Sequence, residues 1–114
     1  MSAASLDVSL QDLPYHLLRK LTNEPAASQR RLAMSLGVSL GKVNFCLRAL
    51  VDKGWVKANN FRRSDNKLAY AYVLTSAGIE EKGRLTKHFL QRKLDEFDAL
   101  QKEIEDLKHE ASQS

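Results

Sequence analysis

The amino-acid sequence predicts a mainly α-helical chain with one small β-hairpin, an α+β fold, and three observations carry that expectation. Between Gly37 and Trp55 an apolar stripe with helical spacing is bounded by a serine cap and a glycine stop, and a second short helical pattern lies just upstream. Two strand-like runs then flank Asp65-Asn66, a pair that favours a turn. Beyond Leu74 no proline occurs, and large apolar residues recur at intervals of three and four. Together these features describe a winged helix-turn-helix followed by a long C-terminal dimerisation helix.

Size and charge narrow the function. A chain of 114 residues with 43% hydrophobic residues supports one modest core, not a core plus a large catalytic cleft. The net charge of +4 conceals an asymmetry: residues 28–93 carry 14 Lys/Arg against 4 Asp/Glu, whereas residues 94–114 carry 2 against 7. The basic block coincides with the helix-turn-helix, which favours a polyanionic partner. No nucleophile–base pair, phosphate-cradling glycine loop or paired acids have useful spacing, so neither an enzymatic activity nor a cofactor is expected. His16, His88 and His109 lack metal-ligand spacing. The single Cys46 excludes an internal disulfide, and no N-terminal apolar run resembles a signal peptide or membrane span, so the expected setting is cytoplasmic, without membrane contact.

Residues 1–9 are small and polar and are expected to be flexible. From Leu10, the pattern Leu10, Leu13, Leu17, Leu18, Leu21 predicts a first helix, with Pro14 tolerable in its first turn and an end near Thr22 to Glu24, ahead of Pro25. Ser28 caps the second helix, whose apolar residues are Leu32, Ala33 and Leu36. Arg30 and Arg31 crowd its positive end, an unfavourable placement for the helix itself. A DNA phosphate there would accept hydrogen bonds from Ser28, the backbone N–H groups and an arginine, so Ser28, Gln29 and Arg30 are the expected phosphate contacts. Ser39 caps the third helix and Gly54 ends it. Val43, Leu47, Leu50 and Val51 form its packing stripe, while Gly41, Lys42, Phe45, Arg48 and Asp52 project elsewhere.

Trp55 to Phe61 and Lys67 to Leu74 read as strands, the second with Leu68, Tyr70, Tyr72 and Leu74 alternating with Ala69, Ala71 and Val73 as a half-buried strand requires. Their connection presents Arg62, Arg63 and Lys67, and a basic hairpin directly after a DNA-reading helix is placed to meet the minor groove. Thr75 or Ser76 then caps a last helix of about thirty residues, with Glu80 and Glu81 near its positive end. Its first half offers Ile79, Leu85, Phe89 and Leu90 to the winged domain. Further along, Phe97, Leu100, Ile104, Leu107 and Ala111 have coiled-coil spacing, and the expected dimerisation residues are Leu90, Leu94, Phe97, Leu100, Ile104 and Leu107. The expected divisions are thus residues 1–9, a DNA-binding domain at 10–75, a coiled-coil-like helix at 76–111 and a tail at 112–114.

Three stretches resemble the MarR family of winged-helix transcription regulators, over most of residues 12–93. They are Leu32-Ala33 through Ser39, Lys42-Val43-Asn44 through Leu50 with Lys53-Gly54-Trp55-Val56, and Asp65-Asn66-Lys67 with Leu74-Thr75-Ser76-Ala77-Gly78. The last is similar to the family's Asp-x-Arg wing and Leu-Thr-x-x-Gly exit, with Lys67 in place of arginine. Lysine keeps the charge but lacks the planar fork, so Arg62 or Arg63 can take the minor-groove role. The run from Val38 to Leu47 with Lys53 to Lys57 also resembles a short branch associated with bacterial exopolysaccharide gene clusters. Against the usual family plan the chain is shorter, with one long C-terminal helix where two are usual.

The resulting expectation is a homodimer on a pseudo-palindromic double-stranded DNA operator, with each copy's residues 39–53 in a major groove. Ser39, Gly41, Lys42, Asn44, Phe45 and Arg48 form the reading surface. Lys42 and Arg48 reach guanine edges or phosphates, Asn44 pairs with adenine, and Phe45 packs on thymine methyls unless the helix bends it into the core. Cys46 on the same helix raises a redox-sensing alternative, weighed against an inert, packed thiol. The rival function is a winged-helix protein–protein adaptor docking through its acidic C-terminal helix. The operator, the sign of regulation and any small-molecule effector are not encoded legibly.

Overall fold

The computed structural model describes residues 11–62, 65 and 68–114. Among these the order is α1 (Leu13–Asn23), α2 (Gln29–Leu36), α3 (Leu40–Asp52), β1 (Val56–Arg62), β2 (Leu68–Leu74) and α4 (Ser76–Gln113). Leu10 and the predicted flexible residues 1–9 lie outside the described residues, so the first helix is seen from Leu13. The chain forms two compact units, Met1–Gly83 and Arg84–Ser114.

The first unit is built on α1. Pro14 occupies its first turn, where a missing N–H costs nothing, and Leu13, Leu17, Leu18 and Leu21 are buried on one face. That face packs on α2, α3 and β2. The Ser28 hydroxyl accepts from the Arg31 N–H at 3.1 Å, starting α2, and Gly37 ends it in the left-handed conformation (φ 69°) that a side chain would strain. After this turn Ser39 repeats the device, accepting from the Lys42 N–H at 3.1 Å. Helices α2 and α3 meet at 112°, the angle of a helix-turn-helix. Gly54 (φ 78°) stops α3, with its N–H donating to Val51 O and the Trp55 N–H to Leu50 O.

The stripe predicted on α3 is corrected at one end. Val43, Leu47 and Leu50 are buried, but Val51 is 38% exposed. Spacing of four and three brings the buried face to Leu50 and then to Gly54, and Val51 lies a hundred degrees further round. With Leu17, Leu18, Leu21, Leu32 and Val56, these residues make a core in which no described polar or charged residue is buried.

β1 and β2 are antiparallel, registered from Val56↔Leu74 to Arg62↔Leu68, each starting one residue later than the sequence suggests. Burial in β2 does not alternate as predicted. Ala71, Tyr72, Val73 and Leu74 are all half-buried and Tyr70 is exposed, with β2 packed on α1. The Tyr72 N–H donates to Pro25 O, tying the segment ahead of α2 to the hairpin.

Thr75 resolves the choice of cap for α4. Its hydroxyl accepts from the Gly78 N–H at 3.0 Å and donates to Gly54 O, while its own N–H donates to Trp55 O. Gly78 is buried, and a β-carbon there would collide with the Trp55 carbonyl. The helix start is thereby fastened to the glycine stop of α3. The predicted packing of Ile79 is not found: it is 62% exposed, and Gly78 makes the close approach instead.

In the second unit α4 runs to Gln113, absorbing most of the predicted tail. Leu85 and Phe89 are half-buried, Leu90 is exposed, and the cations of Arg92 and Lys93 lie 5.5 and 5.3 Å from the Phe89 ring. Leu90, Leu94, Phe97, Leu100, Ile104 and Leu107 are between 41 and 56% exposed. No single helix among the described residues is long and apolar enough to cross a membrane.

Candidate nucleic-acid interface

Helix α3 is held by its buried stripe, so the opposite face is fixed in direction without being covered. Gly41, Lys42, Phe45 and Arg48 lie on that face, and all are exposed. Neither Lys42 nor Arg48 pairs with an acid among the described residues. Phe45 is 68% exposed, and the helix does not bend it into the core. It stands between two open depressions, one of about 360 Å³ reaching Arg48 and Asp52 and one of about 670 Å³ reaching Leu13, Pro14 and Cys46. A large apolar ring left in water on a rigid helix costs free energy that a flat, partly apolar partner would recover.

The start of α2 supplies the second element. Ser28 and Arg30 are exposed there, at the positive end of the helix, where the first N–H groups have no partner within it. The two crowded arginines separate into different roles. Arg31 donates through Nε to Glu24 Oε1 at 3.1 Å, and Lys20 lies 3.8 Å from the same carboxylate, so Glu24 offsets one of the arginines. Arg30 has no such acid among the described residues.

Asn44 and Gln29 are placed differently from their neighbours. Both are half-buried, and they are joined: the Asn44 Nδ2 donates to Gln29 Oε1 at 3.1 Å, and the Gln29 Nε2 donates to the Tyr72 hydroxyl at 3.2 Å. Sequence reasoning took both as independent DNA contacts and missed their union, because positions 29, 44 and 72 share no local pattern. Gly78 was more accessible to it, since a glycine inside a helix costs about 1 kcal/mol against alanine and signals a packing reason. For the wing, β1 ends at Arg62, while the Arg62 side chain and residues Arg63 and Lys67 lie outside what is described.

Cys46 is half-buried, and that burial pushes its thiol up to about 11. It stays protonated near neutral pH, which is the inert state. Among the described residues no group of three or more His, Cys, Asp or Glu side chains can hold a metal ion.

Known proteins agree with this architecture. The family described as winged helix-turn-helix DNA-binding matches residues 10–57, so this segment is similar to winged helix-turn-helix DNA-binding domains. Among solved structures the chain is similar to ZitR of Lactococcus lactis, at 20% identity and a TM-score of 0.61 over 82% of this chain. It spans 62% of that protein's structure. It is also similar to a MarR/EmrR family transcriptional regulator from Acinetobacter sp. ADP1, at 20% identity and a TM-score of 0.60, covering 98% of this chain and 89% of that one. These likenesses show a shared fold, a winged helix-turn-helix with a long C-terminal helix. No curated protein sequence matches the chain.

Proposed function

We propose that the chain is a sequence-specific double-stranded DNA-binding transcription regulator that acts as a homodimer on a pseudo-palindromic operator. One observation carries this reading: a segment similar to winged helix-turn-helix DNA-binding domains presents Lys42, Phe45 and Arg48 together on the uncovered face of α3. In a major groove, Arg48 and Lys42 meet guanine edges or phosphates, and Phe45 meets thymine methyls. Gly41 presents no side chain beside the Ser39 hydroxyl, which a β-carbon there would meet at 4.0 Å, and this lets the sugar-phosphate backbone approach. Ser28, Gln29 and Arg30 take a flanking phosphate at the start of α2, and Arg62, Arg63 and Lys67 take the adjacent minor groove.

The stripe from Leu90 to Leu107 joins two copies and sets the distance between their α3 helices. A role in transcription follows the similarity to a MarR/EmrR family regulator. Control of exopolysaccharide genes follows the sequence resemblance over Val38 to Lys57.

Selection of bound sites from random DNA, with affinity for the selected site measured across a salt series, tests the proposal. The expected product is a two-fold-related pair of half-sites about 10 base pairs apart or a multiple of that. Affinity should fall steeply with salt as phosphate contacts release counterions. No enriched sequence and no salt-dependent affinity, with salt-insensitive binding to a protein instead, would replace the regulator with an adaptor.

A further inference from the structure

Tyr72, Gln29 and Asn44 come from β2, α2 and α3, and the two hydrogen bonds that join them run in one direction. Gln29 Nε2 donates to the Tyr72 hydroxyl at 3.2 Å, and Gln29 Oε1 accepts from Asn44 Nδ2 at 3.1 Å. Tyr72 is itself held at its backbone, where its N–H donates to Pro25 O at 3.2 Å, just ahead of α2. The chain of groups borders an open cleft of about 260 Å³ that Arg48 also lines. It is therefore not sealed inside the core, and it adjoins a residue of the exposed α3 face.

A carboxamide offers two N–H donors on one side and an acceptor oxygen on the other. An isolated asparagine exchanges the two sides by rotating its terminal torsion, which is broad and roughly two-fold. Gln29 couples that rotation to its own. Its oxygen engages the Asn44 nitrogen, and a flipped Asn44 would set oxygen against oxygen. The Tyr72 hydroxyl accepts from the Gln29 nitrogen and, since a hydroxyl can also donate, tethers the Gln29 amide in place whichever end faces it. One Nδ2 hydrogen and the Oδ1 of Asn44 remain, and these are the two groups that bidentate pairing with adenine N7 and N6 requires.

We propose that Gln29 and Tyr72 are positioning residues for base discrimination, holding the Asn44 amide in place at the edge of the exposed α3 face, where it pairs with adenine. The assignment rests on the reading that α3 enters the major groove. It gives Gln29 a second role, distinct from the phosphate contact expected of its place at a helix start. A phosphate contact changes affinity for every sequence alike, whereas a positioning contact changes the preference at one base pair.

The test uses the full chain and its selected site, with every single-base variant of that site titrated against wild type, Asn44→Ala, Gln29→Ala, Gln29→Glu and Tyr72→Phe. Folding of each variant is checked by thermal unfolding. Asn44→Ala identifies the position whose adenine preference depends on Asn44. Gln29→Ala is expected to reduce the preference at that same position about tenfold while leaving the other positions and the salt slope unchanged. Tyr72→Phe should reduce it about threefold. Gln29→Glu retains acceptors for both Asn44 and the tyrosine hydroxyl, so it should keep the preference while its charge weakens binding to all sequences. An equal loss on every sequence for Gln29→Ala would make Gln29 a phosphate contact only and overturn the assignment. So would an Asn44→Ala profile unchanged at every position, or an unchanged adenine preference in Gln29→Ala. A wild-type chain with no preference among sequences would overturn both the assignment and the DNA reading beneath it.

Discussion

The two compact units use the same residue type to opposite ends. In α1, Leu17 and Leu18 are sealed completely, because α2, α3 and β2 form a wall across the helix stripe. In residues 84–114, Leu94, Leu100 and Leu107 recur at comparable helical spacing and each keeps about half its surface. Periodicity specifies that a face is apolar; it does not specify what covers it. The flanks differ too, with α1 followed at once by its packing partners and the second unit made of a single helix whose described ion pairs, Lys93–Glu96 and Lys108–Glu105, are local. A stripe of this length in water favours association, since buried apolar area contributes about 25 cal/mol per Å².

The largest expected effect breaks that contrast directly. If the second stripe joins two copies, Leu100→Asp with Ile104→Asp gives a folded monomer whose operator affinity is lower by about two to four orders of magnitude, the loss expected when two linked half-site contacts become independent. Analytical ultracentrifugation and titration of the selected site check the two parts. A monomer with undiminished affinity would separate the stripe from DNA binding.

A paired substitution sharpens it. Leu17→Ala should cost about 3 kcal/mol at any protein concentration, through a cavity in a sealed core. Leu100→Ala should cost no more than about 0.5 kcal/mol where the chain is monomeric, as for an exposed side chain. Its cost should grow with protein concentration where dimers form. Urea unfolding at two concentrations separates these outcomes.

Two glycines in one helix make the same distinction at the scale of a methyl group. Gly78→Ala forces a β-carbon against the Trp55 carbonyl and should destabilise the chain by about 2–3 kcal/mol. Gly83, with nothing within 4 Å, should tolerate alanine and gain about 0.8 kcal/mol from helix propensity. Thermal unfolding of both variants measures the pair, and a stable Gly78→Ala would show that the close approach to Trp55 is not needed.

Local chemistry made much of this legible in the sequence. Ser28, Ser39, Gly37 and Gly54 act within four residues of where they stand, so the helix boundaries followed from them. The exposure of Phe45 followed from its angle to Val43 and Leu47. Pairings between distant positions did not follow. The tie from Glu24 to Arg31, the contact of Gly78 with Trp55 and the line from Tyr72 to Asn44 depend on how elements meet, and residue order alone does not encode their geometry. Val51 and Ile79 failed for a related reason, since each is apolar yet lies just past the residue that packs.

Cys46 carries the smallest predicted effect, and it lies at the margin of the sealed unit. Burial favours the neutral thiol, so the folded chain holds the proton more tightly than the unfolded chain does. A group whose folded value is raised contributes stability fully below its unfolded value, and loses it as pH climbs from the ordinary thiol range, about 8.5, towards 11. Near neutral pH the thiolate fraction is low, and alkylation by iodoacetamide should be on the order of 100-fold slower than for a free cysteine. Mild peroxide should therefore leave DNA affinity unchanged at pH 7, whereas rapid labelling and a matching loss of binding would make Cys46 a sensor on α3.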